Sequence, residues 1–276
     1  MQARERTLAL SLFVLTLVTT TLAGAIQQGV NPLSDPKGVL DGLPFALTLM
    51  AILGCHEMGH FLASKWHRVS TSYPMFIPAP TLLGTFGAFI RMRGIPPSRS
   101  ALLDIGAAGP LSGLAVALPI WLVELHKATP PALLGRLPGG YGIELGSSLL
   151  VWMTSHNAHG HSGELVLTSV GFAAWIGFFV TCLNLLPIGQ LDGGHILYAL
   201  LGGRARKLSL VFWAGLIGCG MFWDGWLVWA FLLAILGVRH PQSVWLEQSR
   251  LGPGRKLLGL FVLLVFVLCF VPVPFR

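Results

Sequence analysis

Leu53-Gly54-Cys55-His56-Glu57-Met58-Gly59-His60 places two histidines and a glutamate near the end of a largely apolar run, Leu43 to Ala63. The run is about 20 residues, the length at which an α-helix crosses the hydrocarbon of a bilayer. On such a helix His56 and His60 lie one turn apart on the same face, so two imidazoles reach one metal ion. Glu57 sits beside them, where a carboxylate can hold and deprotonate a metal-activated water. Ionisable groups at membrane depth are costly unless paired or coordinated, so the cluster asks for a functional reason. With nine His and six Glu in 276 residues, chance would supply His-Glu-x-x-His only about 0.006 times. The competing reading is a polar cluster that merely packs helices together.

Composition extends this reading to the whole chain. Of 276 residues, 54% are hydrophobic and 11% charged, with mean hydropathy +0.72, against about 25% charged in soluble domains. The chain reads as a polytopic membrane protein. Its net charge of +7 then reflects basic cytoplasmic loops rather than nucleic acid, and neither a zinc finger nor a helix-turn-helix pattern is evident. Cys55, Cys182, Cys219 and Cys269 all fall in apolar runs, as small buried hydrophobes rather than a disulfide framework. Cys55 adjoins His56 but points about 100° away around the helix, so it is not taken as a ligand.

Apolar stretches at Leu8–Ile26, Leu43–Ala63, Ala101–Val123, Leu165–Leu186, Leu208–Phe222, Trp226–Val238 and Leu257–Val271 are the expected spans. The fold class is an all-α polytopic membrane protein with about six or seven transmembrane helices. The first stretch, preceded by Arg4 and Arg6, is read as an uncleaved helix rather than a signal peptide. Gln27 to Gly42 is a loop, and so is the Pro- and Gly-rich segment from Lys127 to about Gly163. Trp223-Asp224-Gly225 marks a tight helical hairpin. Between spans two and three, Tyr73 to Arg93 holds Pro74, Pro78 and Pro80 and then Gly84-Thr85-Phe86-Gly87-Ala88. That density of Pro and Gly among β-branched and aromatic residues predicts a short re-entrant β-hairpin, which membrane depth tolerates only against protein or a wet cavity. Gly106 to Gly113 is a small-residue surface that lets helices approach closely. With seven spans and the amino terminus inside, most Lys and Arg fall on one face, with Lys37, Lys127 and Arg136 as exceptions.

A catalytic zinc takes three protein ligands and leaves a position for water. Among five aspartates and six glutamates, Asp192 is the carboxylate in a Pro/Gly-broken stretch at membrane depth, on the same side as His60. It is the expected third ligand. Direct ligation by His195 is the lesser reading for that residue. His156, His159 and His161 resemble a metal patch but fall across the membrane from His56. Asp104 suits a helix amino terminus, and Asn184 suits either a substrate contact or a helix-bridging role.

His56-Glu57-Met58-Gly59-His60 and Asn184-Leu185-Leu186-Pro187-Ile188-Gly189-Gln190-Leu191-Asp192-Gly193 together resemble the site-2 protease family of intramembrane zinc metalloproteases. The second stretch matches the family's Asn-x-x-Pro-(x)4-Asp-Gly pattern without a gap, and the likeness runs from about Leu43 to Gly202. It is closest to compact plastid-type and bacterial members without a PDZ domain, although Thr168-Ser169 stands where those relatives carry His-Pro. The resemblance implies one Zn2+ per chain on His56, His60 and Asp192, with Glu57 as catalytic base. It implies a substrate contact at Asn184, and a substrate-presenting strand at Gly84, Thr85, Phe86, Gly87 and Ala88. The expected activity is endoproteolysis within or near the transmembrane segments of protein substrates. The expected setting is the lipid bilayer of a prokaryotic cytoplasmic membrane, with the site toward the cytoplasm and no nucleic-acid partner. One integral membrane domain, 1–276, would hold a catalytic core at about 43–202 and accessory helices at 1–42 and 203–276. A membrane metal or ion transporter and a proteolytically inactive membrane chaperone are the rival classes.

Overall fold

The computed structural model describes residues 2–128, 144–159, 166–238 and 249–275. Its helices are α1 (Gln2–Gln27), α2 (Leu43–Trp66), α3 (Arg99–Leu125), α4 (Leu149–His159), α5 (Ser169–Asn184), α6 (Asp192–Leu201), α7 (Ala205–Cys219), α8 (Gly225–Leu236) and α9 (Pro253–Cys269). Two short strands, β1 (Met75–Pro78) and β2 (Thr85–Phe89), pair antiparallel between α2 and α3. The expected hairpin is therefore present.

Among the described residues, three helical stretches are long and apolar enough to cross a membrane: Arg4–Gln27, Gly38–Trp66 and Arg99–Leu125, of 24, 29 and 27 residues. The later apolar helices are shorter, with 16 residues in α5, 15 in α7, 12 in α8 and 17 in α9. A straight span needs about 20. In α5 the limits are chemical. The Thr168 hydroxyl accepts the Gly171 amide at 2.9 Å and caps the start, and the chain leaves helix after Asn184, ahead of Pro187. Thr168 thus serves as the N-cap of α5. One correction concerns Lys127–Gly163, expected to be a loop: Leu149–His159 within it is helical. Ser148 caps that helix through the Val151 amide, and the run Leu149-Leu150-Val151 supplies helix-compatible apolar residues.

The chain divides into two compact units. The first comprises Met1–Ile95, Leu111–Gly135 and Gly163–Phe178. In it α2, the latter part of α3 and the first part of α5 pack closely: a Cβ at Gly177 would meet Ile52 Cγ2 at 3.0 Å and Ala117 Cβ at 3.1 Å. Glu124, 7% exposed, accepts hydrogen bonds from Lys127 and Thr168, which ties the end of α3 to the start of α5. The hairpin lies along α1. Its base pairs Thr71 with Met92, and Glu5 of α1 binds Arg93 there at 2.7 Å. Near the turn, Gln27 at the far end of α1 donates to the Leu82 carbonyl at 2.6 Å.

The second unit comprises Pro96–Pro110, Arg136–Ser162 and Phe179–Arg276. Leu102, Leu103, Leu197, Tyr198, Ala199 and Ala205 form a buried cluster where α3 meets α6 and α7. α7 and α8 make the expected helical hairpin, pinned by the Trp213 indole donating to the Ala230 carbonyl at 2.9 Å. Asp104 receives two guanidinium nitrogens of Arg255, which fastens α9 to α3. That contact gives Asp104 a structural partner.

Gly177 and Gly215 provide a paired test. Gly177→Val should destabilise the protein by about 1–3 kcal/mol through overpacking. Gly215→Ala, where a Cβ meets nothing within 4 Å, should leave thermal unfolding in detergent within a degree or two of wild type.

Candidate metal centre

In the first unit, His56, Glu57 and His60 occupy adjacent turns of α2 and are 3%, 6% and 6% exposed. Burial of this kind within an apolar helix follows from the i, i+4 spacing, which turns both imidazoles to one face. The two Nε2 atoms stand 3.1 Å apart, with ring planes at 72°. Two imidazole nitrogens at about 2.05 Å from one zinc, at the tetrahedral angle, would be about 3.3 Å apart. The histidine pair therefore fits a shared zinc with little movement.

A glycine explains how the rings are held. A Cβ at Gly113 of α3 would lie 3.3 Å from His56 Cβ and 3.4 Å from its Nδ1. The small residue allows α3 to press on the imidazole and restrict its rotamers. The motif Gly109-Pro110-Leu111-Ser112-Gly113 showed a close-packing surface, but sequence reasoning missed which side chain it touches. The spacing of small residues was the available signal; its partner was not. Cys55, on the same helix, is exposed, which corrects its expectation as a buried hydrophobe.

The hairpin of the same unit carries the other expected residues. Gly84 has φ +73°, and a Cβ there would meet the Thr19 carbonyl oxygen at 2.4 Å. Gly87 has φ +98° and lies where the register shifts between Phe76↔Ala88 and Pro78↔Thr85. This irregularity needs a residue free to adopt positive φ. Thr85 spans the shift: its hydroxyl donates to the Ile77 carbonyl and accepts the Gly87 amide. Phe86 is 72% exposed.

In the second unit, Asn184 is the last residue of α5 and Asp192 the first of α6. Between them Leu185, Leu186 and Ile188 are buried, and Gly189, at φ +59°, donates its amide to the Val238 carbonyl. Gly193 and Gly194 make this turn possible. A Cβ at Gly193 would meet the Leu185 carbonyl oxygen at 2.0 Å, and one at Gly194 the Gly189 oxygen at 2.4 Å. Asp192 follows an extended Leu191, in the first turn of its helix. Gly106 of α3 approaches the Asp192 carbonyl and the His195 Cβ, each 3.4 Å from a built Cβ. His195 lies one turn further along α6.

Within the first unit His56 and His60 offer two imidazoles from one face of α2, a donor pair that a metal ion accepts. The three-histidine patch is not completed among the described residues. His156 stacks on Trp152 of α4, while the His159 side chain and His161 lie outside the described residues.

Comparisons place this arrangement among known proteins. The model of peptidase family M50 matches residues 44–219, a stretch that contains both motifs. Among curated proteins the chain is similar to "Probable zinc metalloprotease EGY1, chloroplastic" of Arabidopsis thaliana, 32% identical over 96% of this chain and 53% of the relative. "Probable zinc metalloprotease EGY2, chloroplastic" of the same plant is 30% identical over 91% of this chain and 46% of its own length. The EGY1 protein of Oryza sativa subsp. japonica is 32% identical over 85% of this chain and 41% of that protein. The chain thus spans about half the length of the curated relatives it matches. No solved structure matches it.

Gly113→Val should displace the His56 ring and weaken zinc retention by about tenfold or more, read by metal analysis after dialysis against a graded chelator. Cys55→Ser should leave the same measurement unchanged.

Proposed function

This chain belongs to peptidase family M50, the site-2 protease family, and from that membership we propose that it is a zinc-dependent intramembrane endopeptidase. It would hydrolyse peptide bonds within or near transmembrane segments of membrane proteins, as a step of regulated intramembrane proteolysis. The observation that carries the reading is the pair of buried imidazole nitrogens 3.1 Å apart, with a buried glutamate between them in sequence, on a helix of span length.

His56 and His60 would hold one zinc per chain, and Asp192, from the Asn184–Gly193 motif, would be the third ligand. Bound there, zinc supplies Lewis acidity toward the scissile carbonyl and the attacking water. Glu57 takes the proton of that water as it attacks and returns it to the leaving amine. A helical substrate hides its carbonyls in its own hydrogen bonds and must unwind locally before attack. The open edge of β2, from Thr85 to Phe89, would pair with the freed backbone by strand addition. Asn184 would hydrogen-bond the substrate backbone or its developing oxyanion.

The same reading includes six or seven crossing helices with the amino terminus inside. It is supported by contacts that join residues of one expected face. Glu5 binds Arg93 in the first unit. In the second, the Arg99 amide donates to Ser249, and the Gly146 amide to the Pro274 carbonyl. The hairpin would be re-entrant because it follows α1 from Glu5 to Gln27. We place the protein in a prokaryotic cytoplasmic membrane as a single membrane domain, with the basic face and the site toward the cytoplasm. The chloroplast in the relatives' names is said of those proteins.

Glu57→Gln should keep about one zinc per chain and lose cleavage of a membrane-embedded substrate by about 10²–10⁴-fold. Asp192→Ala should lose both zinc and cleavage. Cleavage at the wild-type rate by Glu57→Gln would refute the assignment, and metal flux into proteoliposomes that survives it would point to a transporter.

A further inference from the structure

We propose that α1, expected from sequence to be accessory, is the positioning element for the β2 edge, with Thr19 and Gln27 as its positioning residues. The proposal rests on the proteolytic reading for what the edge receives, but the clamp itself is a matter of geometry within the first unit.

Four contacts run the length of the helix. Glu5 pairs with Arg93 at the hairpin base. Phe13 meets Phe76 edge-on, with ring centroids 5.2 Å apart. Thr19 donates to the Gly84 carbonyl at 2.7 Å, a shorter contact than its bonds to Thr16 and Leu15 in its own helix. Gln27 donates to Leu82 beside the turn at 2.6 Å.

Gly84 is where this clamp meets the edge strand. It immediately precedes β2 and has no room for a side chain, because a Cβ would lie 2.4 Å from the Thr19 oxygen and 2.5 Å from Thr20 Cα. Its carbonyl also accepts the Ala79 amide at 3.1 Å, so one oxygen ties β2 to both α1 and the β1 side of the hairpin. A two-stranded ribbon is marginal by itself, and Gly87 adds a register shift in β2. Without a rigid support the depth and register of Thr85–Phe89 would wander, and a strand that pairs with substrate must be held before it arrives. Thr19 and Gln27 hold the strand that would receive substrate, so this role alters substrate affinity rather than the chemical step.

The test uses the full chain in nanodiscs with the Thr19→Val/Gln27→Ala double variant and Thr19→Ser. Hydrogen exchange of the Thr85–Phe89 amides should accelerate about tenfold in the double variant and stay near wild type in Thr19→Ser, which keeps the hydroxyl. With a transmembrane peptide substrate, KM should rise about five- to tenfold while kcat stays within about twofold and zinc content is unchanged. Unchanged exchange in the double variant would overturn the clamp, as would a fall in kcat at constant KM. The exchange arm needs no turnover. Wild-type protein that exchanges as expected but cleaves nothing would therefore overturn the proteolytic reading and leave the clamp supported.

Discussion

Two imidazoles and a carboxylate lie almost wholly buried in a helix long and apolar enough to cross a bilayer, and their compensation conditions the rest of the structure. An isolated ion at membrane depth costs several kcal/mol. Such a cluster persists where a shared cation and fixed donors offset that cost. The His56 and His60 nitrogens already stand near the separation that a tetrahedral zinc requires. A site prepared in this way loses little energy to reorganisation when metal binds.

Glycine is how the neighbouring backbone comes close enough to fix these groups. Gly113 lets α3 reach the His56 ring, Gly177 lets α5 meet α2 and α3, and Gly193 and Gly194 fold the start of α6 onto Leu185–Gly189. Each would place a Cβ at or below 3.3 Å from a neighbour. Lipid supplies little hydrophobic drive between helices, so close backbone approach and dispersion carry the packing instead. The glycines near both motifs follow from that requirement.

Non-helical backbone within a membrane protein needs a partner for its polar groups. The Asn184–Asp192 link finds one in the carbonyl of Val238, which accepts the Gly189 amide. The hairpin finds partners in itself and in α1, whose Thr19 and Gln27 side chains reach the carbonyls of Gly84 and Leu82.

Residue spacing alone determined the membrane class, the shared face of His56 and His60, the hairpin near Gly84–Ala88 and the turn at Trp223–Gly225. Each depends on periodicity or local turn chemistry, which sequence carries directly. The likeness of the two motifs to site-2 proteases was legible for the same reason, because metal ligands tolerate few substitutions. Tertiary structure decided the rest. Helix Leu149–His159 was hidden by the Pro- and Gly-rich residues around it, and the span-length apolar run Leu165–Leu186 became the 16-residue helix Ser169–Asn184 once a cap and a break set its ends. The contact of Gly113 with His56, the pairing of Asp104 with Arg255 and the support of the hairpin by α1 join residues 57, 151 and up to 88 positions apart. No local pattern encodes such distances. They follow from which helix faces meet, and only the packed chain settles that.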